Sequence, residues 1–233
     1  MLDFERFQWL SFDCYGTLVD WETGISDAVS DVLSSRDILM SRSEILALFA
    51  EVEPQIQQGG RYLEYRRVLR RVVAMIGIKL DVQFSESEMN CLVNTIGSWP
   101  VFPDTRDSLR SMKQRYNLAI ISNVDDDLFA PTAEVLEVEL DVVVTAQQCG
   151  SYKPDHRNFD VALERMGIEK DRWLHIGESL YHDIAPANEL GIASVWVNRG
   201  HGKEGGATRP TDARPDLEVH DLASLVRAME LER

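Results

Sequence analysis

Short apolar runs recur along the chain, each ending at a cluster of small or charged residues. Gln8-Trp9-Leu10-Ser11-Phe12 reads as a buried strand, closed where Gly16 lets the chain turn. Leu118-Ala119-Ile120-Ile121, Leu140-Asp141-Val142-Val143-Val144, Trp173-Leu174-His175-Ile176 and Ala193-Ser194-Val195-Trp196-Val197 read the same way. Helical periodicity fills the intervals, over Thr105 to Tyr116, Asn158 to Met166 and Asp183 to Leu190. Strands alternating with helices from about residue 101 onward predict parallel βαβ units, and so an α/β fold with a doubly wound parallel sheet.

The stretch between Trp21 and Trp99 departs from this pattern. It carries helical patterns over Gly24 to Ser34, Ser43 to Ile56 and Tyr62 to Ile76, with no convincing strand. An all-helical cap of residues 21–99 is therefore expected, inserted after the first strand into a core of residues 1–20 and 100–233. Such a cap would lie over the carboxyl edge of the sheet, where open α/β sheets bind ligands. The segment Gly200-His201-Gly202-Lys203-Glu204-Gly205-Gly206 lacks the strand–turn–helix setting of a phosphate loop and reads as a flexible loop.

Composition narrows the function. Hydrophobic residues at 44% and charged residues at 27% fit a globular protein, and no apolar run reaches the length of a membrane span. The start, Met1-Leu2-Asp3-Phe4-Glu5-Arg6, lacks the basic-then-apolar order of a signal peptide, so a cytoplasmic location is expected. A net charge of −15 argues against nucleic acid or an anionic membrane as partner. If the substrate is a small anion, local cations must reverse that field. Three scattered cysteines, Cys14, Cys91 and Cys149, make neither a disulfide framework nor a zinc site. Cys14 is expected to be a small buried residue pointing away from its neighbour Asp13, since adjacent strand residues face opposite sides.

Four polar clusters stand just after predicted strands. They are Phe12-Asp13-Cys14-Tyr15-Gly16-Thr17-Leu18-Val19-Asp20, Ser122-Asn123, Ser151-Tyr152-Lys153-Pro154, and Gly177-Glu178-Ser179-Leu180-Tyr181-His182-Asp183. Singly, an Asp after a strand is often a helix cap and a Lys-Pro pair a loop. Together and in this order, they resemble the haloacid dehalogenase superfamily over nearly the whole chain. The resemblance implies that Asp13 is a nucleophile forming a covalent ester or acyl phosphate that water then hydrolyses. It implies that Thr17, Ser122 and Asn123 hold the carboxylate or the substrate by hydrogen bonds, and that Lys153 offsets the charge of Asp13. Asp183 would orient Lys153 or activate the second-step water, or cap the helix that follows.

The position two after the nucleophile separates branches of this superfamily. Phosphatases carry a second Asp there as general acid for an alkoxide; here it is Tyr15. Asp13-Cys14-Tyr15-Gly16-Thr17-Leu18 is similar to the 2-haloacid dehalogenase branch, which uses Tyr and needs no metal. Leu63-Glu64-Tyr65 and Tyr152-Lys153-Pro154-Asp155 are similar to the same branch. By that likeness Tyr15 and Tyr152 are candidate substrate-binding residues, the substrate is a small carboxylate, no cofactor is needed, and a homodimer is possible.

Two positions depart from that branch. Its carboxylate-gripping Arg, four residues before Leu-Glu-Tyr, is Gly59 here. Arg61, or Arg66 and Arg67 one turn on, is the candidate substitute; alternatively Arg66, Arg67, Arg70 and Arg71 are the solvated face of a helix. In the fourth cluster, Glu178-Ser179-Leu180 replaces Ser-Ser-Asn. Asp13, Glu178 and Asp183 would then be the ligands of a Mg²⁺ ion in the alternative reading, a phosphatase of small phosphate monoesters.

The strings Phe12 to Glu22, Glu178 to Asp183 and His201-Gly202-Lys203-Glu204-Gly205 are also similar to a sub-branch that includes azetidine-2-carboxylate hydrolase. The leaving group implied there is a strained-ring amine instead of a halide. Trp21 either packs on such a substrate or anchors the cap to the core. His182 either acts on the second-step water or is a buried, hydrogen-bonded histidine. His175, inside a strand, is expected to be structural.

Overall fold

The computed structural model describes residues 2–57, 61–200 and 211–231. Gly59 and most of the glycine-rich stretch, from His201 to Gly206, lie outside the described residues. All five expected strands are present, as β1 (Trp9–Phe12), β2 (Asn117–Ser122), β3 (Val142–Thr145), β4 (Trp173–Gly177) and β5 (Ala193–Val197). A sixth, β6 (Leu217–Val219), pairs with β5; three residues are too few to show an alternation in the sequence. Every pairing is parallel, in the order β3-β2-β1-β4-β5-β6. The chain moves one way from β1 through β2 to β3, then returns to the other side of β1 as β4. The crevice at such a reversal, outside the carboxyl ends of the strands, is where ligands bind in open α/β sheets. Asp13 follows β1 directly, and its N–H extends the ladder to the Ile176 carbonyl at 3.0 Å.

Between β1 and β2 run α1 (Trp21–Ser34), α2 (Arg42–Gln57), α3 (Tyr65–Lys79), α4 (Glu86–Met89), α5 (Cys91–Thr95) and α6 (Thr105–Lys113). Among the described residues from 21 to 99 there is no strand, as expected. The helix expected from Tyr62 starts at Tyr65 instead, because its cap comes from elsewhere in the chain. The buried Asp125 carboxylate accepts the N–H groups of Tyr65 and Arg66, each at 2.8 Å. That contact ties the helical insertion to the loop after β2.

The later helices are α7 (Asp126–Leu136), α8 (Ala146–Cys149), α9 (His156–Met166), α10 (Ala185–Leu190) and α11 (Leu222–Ala228). The sheet is covered on both faces. Leu10, Phe12, Leu118, Ile120, Leu174 and Ile176 share one core. Ala119, Ile121 and Trp173 point the other way, onto Phe159 and Ala162 of α9. The helix expected from Asp183 begins as a π-helical turn over Leu180–Ile184, and α10 follows with Pro186 in its first turn, where a missing N–H does no harm. No described helix is long and apolar enough to cross a membrane.

Candidate active site

Asp13 is held at both oxygens. Lys153 Nζ donates to Oδ1 at 2.8 Å and Thr17 Oγ1 donates to Oδ2 at 2.8 Å. Thr17 in turn accepts the Glu178 N–H at 2.9 Å, so the loops after β1 and β4 are tied through one hydroxyl. Gly16 makes the turn between Asp13 and Thr17 with φ +106°, a conformation that side chains rarely adopt. Cys14 is fully buried, as its place on the strand end implied.

Lys153 is shared. Its ammonium, only 2% exposed, also donates to Asp183 Oδ1 at 2.7 Å. Asp183 Oδ2 accepts the Ser179 N–H at 3.2 Å, and His175 Nε2 lies 3.3 Å from Oδ1. Gly177 permits this approach: a Cβ there would fall 2.5 Å from the Asp183 carboxyl carbon. Burial raises the Asp13 carboxyl above its ordinary value and Lys153 opposes the rise. For Asp183 burial also acts upward, but Lys153 and His175 outweigh it and hold the group well below the usual carboxylate range. Two carboxylates thus share one ammonium, and the charge sits more firmly on Asp183.

His175 has a larger part than the sequence suggested. It pairs in register with Ser11 across β1 and β4, and Ser11 Oγ lies 2.7 Å from its Nδ1. The Trp173 indole donates to the same Ser11 oxygen at 2.7 Å. An indole can only donate, so Ser11 Oγ accepts from Trp173 and links that indole to the imidazole beside Asp183. A polar residue facing inward on each of two neighbouring strands was the signal in the sequence.

Above these groups is a cavity of ≈ 120 Å³, room for a small ligand only. Asp13, Tyr15, Trp21, Ser122, Asn123, Lys153 and Asp183 line it. Ser122 Oγ is buried and has no hydrogen-bond partner, an orphan that a ligand would satisfy. Asn123 is committed differently from expectation: its side chain accepts the Lys153 N–H at 2.7 Å and donates to the Lys153 carbonyl at 3.2 Å, positioning that lysine. The Tyr15 hydroxyl is 3.0 Å from Thr132 Oγ1, and burial drives its pKa well above 10. Trp21 lines the cavity and packs edge-on against Phe49 of α2 at 5.7 Å. His182 also lines the cavity, with Nδ1 3.2 Å from Ser179 Oγ.

Two expected substrate contacts lie elsewhere. Arg61 is exposed and outside the cavity lining, because nearness in sequence to the missing arginine does not fix direction. Arg66, Arg67 and Arg70 pair with Asp127, Glu64 and Glu86 on the surface, as the solvated-face reading had it. Tyr152 supports the wall from behind: its hydroxyl donates to the Leu63 carbonyl at 2.6 Å and its ring packs against Tyr65, which does line the cavity.

The three carboxylates considered for Mg²⁺ do not fit one as they stand. Both oxygens of Asp13 and both of Asp183 already accept hydrogen bonds, with Lys153 bridging the pair. Among the described residues no group of three or more His, Cys, Asp or Glu is arranged to hold a metal ion.

Two acidic residues of the cavity escaped the sequence reading of the substrate site. Glu178, considered only as a metal ligand, and Glu53 of α2, not considered at all, both line the cavity; burial pushes each up to about 7. The consequence for stability has a definite sign. Unfolded, Glu53 ionises at its ordinary 4.5; folded, it keeps its proton to about 7. Between those values the folded chain binds the extra proton, so stability falls as pH rises through the window and levels off above it. The full effect is roughly 3 kcal/mol for such a shift. Urea unfolding at pH 5 and pH 8 should show this fall, and Glu53→Gln should reduce it; a flat profile in the unsubstituted protein would contradict the assignment.

The family described as haloacid dehalogenase-like hydrolase matches residues 7–191. The (S)-2-haloacid dehalogenase of Pseudomonas putida is 25% identical over 230 residues, covering 95% of this chain and 96% of that one. The phosphoserine phosphatase of Thermus thermophilus is 30% identical over 138 residues, covering 57% of this chain and 53% of its own. Among solved structures, the L-2-haloacid dehalogenase of Xanthobacter autotrophicus with chloropropionic acid covalently bound superposes with a TM-score of 0.79 at 18% identity, covering 96% of this chain and 98% of that one. With the family spanning most of the chain and the strand-end residues gathered around one carboxylate, this protein belongs to the haloacid dehalogenase-like hydrolases.

Proposed function

We propose that the protein displaces a leaving group from carbon in a small carboxylic acid, through an ester on Asp13, without a metal. Residues 21–99 act in this reading as a cap over the site. The observation that carries it is the commitment of Tyr15: its hydroxyl is engaged with Thr132, and burial holds its pKa well above 10, a poor match for general-acid work near neutral pH. A halide, or an amine that already bears its proton, leaves without such help. An Asp13 oxygen attacks the carbon, the bond to the leaving group breaks with its electron pair, and an ester forms. Water then attacks the ester carbonyl, releasing an alcohol and the Asp13 carboxylate. Ser122 Oγ, buried and unpartnered, is suited to receive the substrate carboxylate. The dehalogenase from Xanthobacter with covalently bound chloropropionic acid supports the same chemistry here.

A magnesium-dependent phosphatase is the second reading, resting on the local likeness to phosphoserine phosphatase. A panel of short 2-haloacids, small cyclic amino acids and phosphate monoesters, each with EDTA or with Mg²⁺, separates the two. Turnover of a haloacid or cyclic amino acid that survives EDTA is the expected result. Phosphate release that needs Mg²⁺, with the carbon substrates inert, would overturn the proposal.

A further inference from the structure

The cavity is unusually poor in positive charge for a site that would bind a carboxylate. Among the described residues it is lined by one lysine and no arginine, and that lysine is already shared between Asp13 and Asp183. Against it stand four carboxyl groups: Asp13, Asp183, Glu178 and Glu53. A purely anionic substrate would add a further negative charge to this set, at close range and largely out of water, and would oppose the ionisation of Glu53 and Glu178.

Of these four, Glu53 is the one that the helical insertion brings to the cavity. It lies one helical turn from Phe49 and from Gln57 on the face of α2 that lines the cavity. Its Oε1 accepts from Gln57 Nε2 at 2.9 Å, a neutral donor, and no cation of the described residues pairs with it. Pro54 has no N–H to give the Ala50 carbonyl, and both residues line the cavity. Trp21, Phe49 and Tyr65 add aromatic wall, which attracts cations through the negative face of each ring. The buried, unpartnered Ser122 hydroxyl independently marks a place for ligand oxygen at the sheet end of the site.

We infer that Glu53 recognises a protonated amine, so that the substrate is a small zwitterion, with its carboxylate at Ser122 and its ammonium between Glu53 and the aromatic wall. This rests on the proposed attack at carbon and narrows it to amino-acid-like substrates. Such a molecule brings no net charge into the cavity and supplies the cation that Glu53 lacks.

Binding of two inert probes tests the inference apart from the chemistry. Proline and cyclopentanecarboxylate share a five-membered ring and a carboxylate and differ in the ring nitrogen. Calorimetric titration of the whole protein should show proline binding about 10- to 100-fold tighter, the scale of a charge-assisted hydrogen bond. In Glu53→Gln that ratio should fall to within about threefold. Equal affinity, tighter binding of cyclopentanecarboxylate, no binding of proline, or a ratio unchanged by Glu53→Gln would each overturn the inference. If the variant does not fold, the ratio in the unsubstituted protein decides alone. Neither probe carries a halide or a strained ring to open, so failure here is distinct from failure to form an ester on Asp13, which the haloacid panel reads.

Discussion

Asp13→Asn is expected to lower kcat by about 10⁴-fold or more, the scale on which a covalent nucleophile is lost. The amide keeps the shape of the carboxylate but has no lone pair nucleophilic enough to open a carbon–halogen or carbon–nitrogen bond. The fold should survive. An amide oxygen can still accept from Lys153, and Thr17 can accept from the amide nitrogen in place of donating to Oδ2. One of two carboxylates sharing a buried ammonium is also neutralised, so the melting temperature should be no lower than that of the parent. Activity within tenfold of the parent in a folded variant would mean that another residue is the nucleophile.

Lys153→Met is expected to damage both activity and stability. The ammonium is almost fully buried and touches both Asp13 and Asp183. Removing one partner of a buried ionic group leaves uncompensated charge and costs about 3–5 kcal/mol. Burial and Asp183 already push the Asp13 carboxyl upward, and Lys153 is what opposes them. Without it Asp13 binds a proton more tightly, and kcat at pH 7 should fall at least about 100-fold. The sign of the pH effect distinguishes this from simple loss of structure. The nucleophile must be ionised, so the acid limb of the rate profile should move to higher pH and activity should partly return on alkalinisation. A limb that stays in place would place Lys153 outside the electrostatics of Asp13.

How much of this was legible in the sequence depended on whether a contact runs along the chain or across it. The strand-end clusters were readable because parallel βαβ units bring successive carboxyl ends to one edge. Asp13, Thr17, Ser122, Lys153 and Asp183 converge there for that reason alone. The link from His175 to Asp183 was not, since it depends on the β1–β4 register that sets Ser11 opposite His175. The start of α3 was missed because its cap, Asp125, lies sixty residues on in the sequence. Glu53 gave no sign, as an acid on an amphipathic helix is ordinarily solvated, and only the packing of α2 over the sheet edge turns it inward. Arg61 was the opposite error, a residue close in sequence to a missing group whose side chain lies outside the cavity.

The central claim is that Asp13 forms an ester which water opens at the carboxyl carbon of Asp13. A single turnover in H₂¹⁸O, with enzyme in excess over 2-chloropropionate or azetidine-2-carboxylate, whichever is consumed, tests it most directly. The hydroxyl oxygen of the first product should come from the enzyme and be unlabelled, and the peptide containing Asp13 should gain one ¹⁸O. Labelled product with an unlabelled Asp13 would mean that water attacks the substrate itself, and would contradict the account.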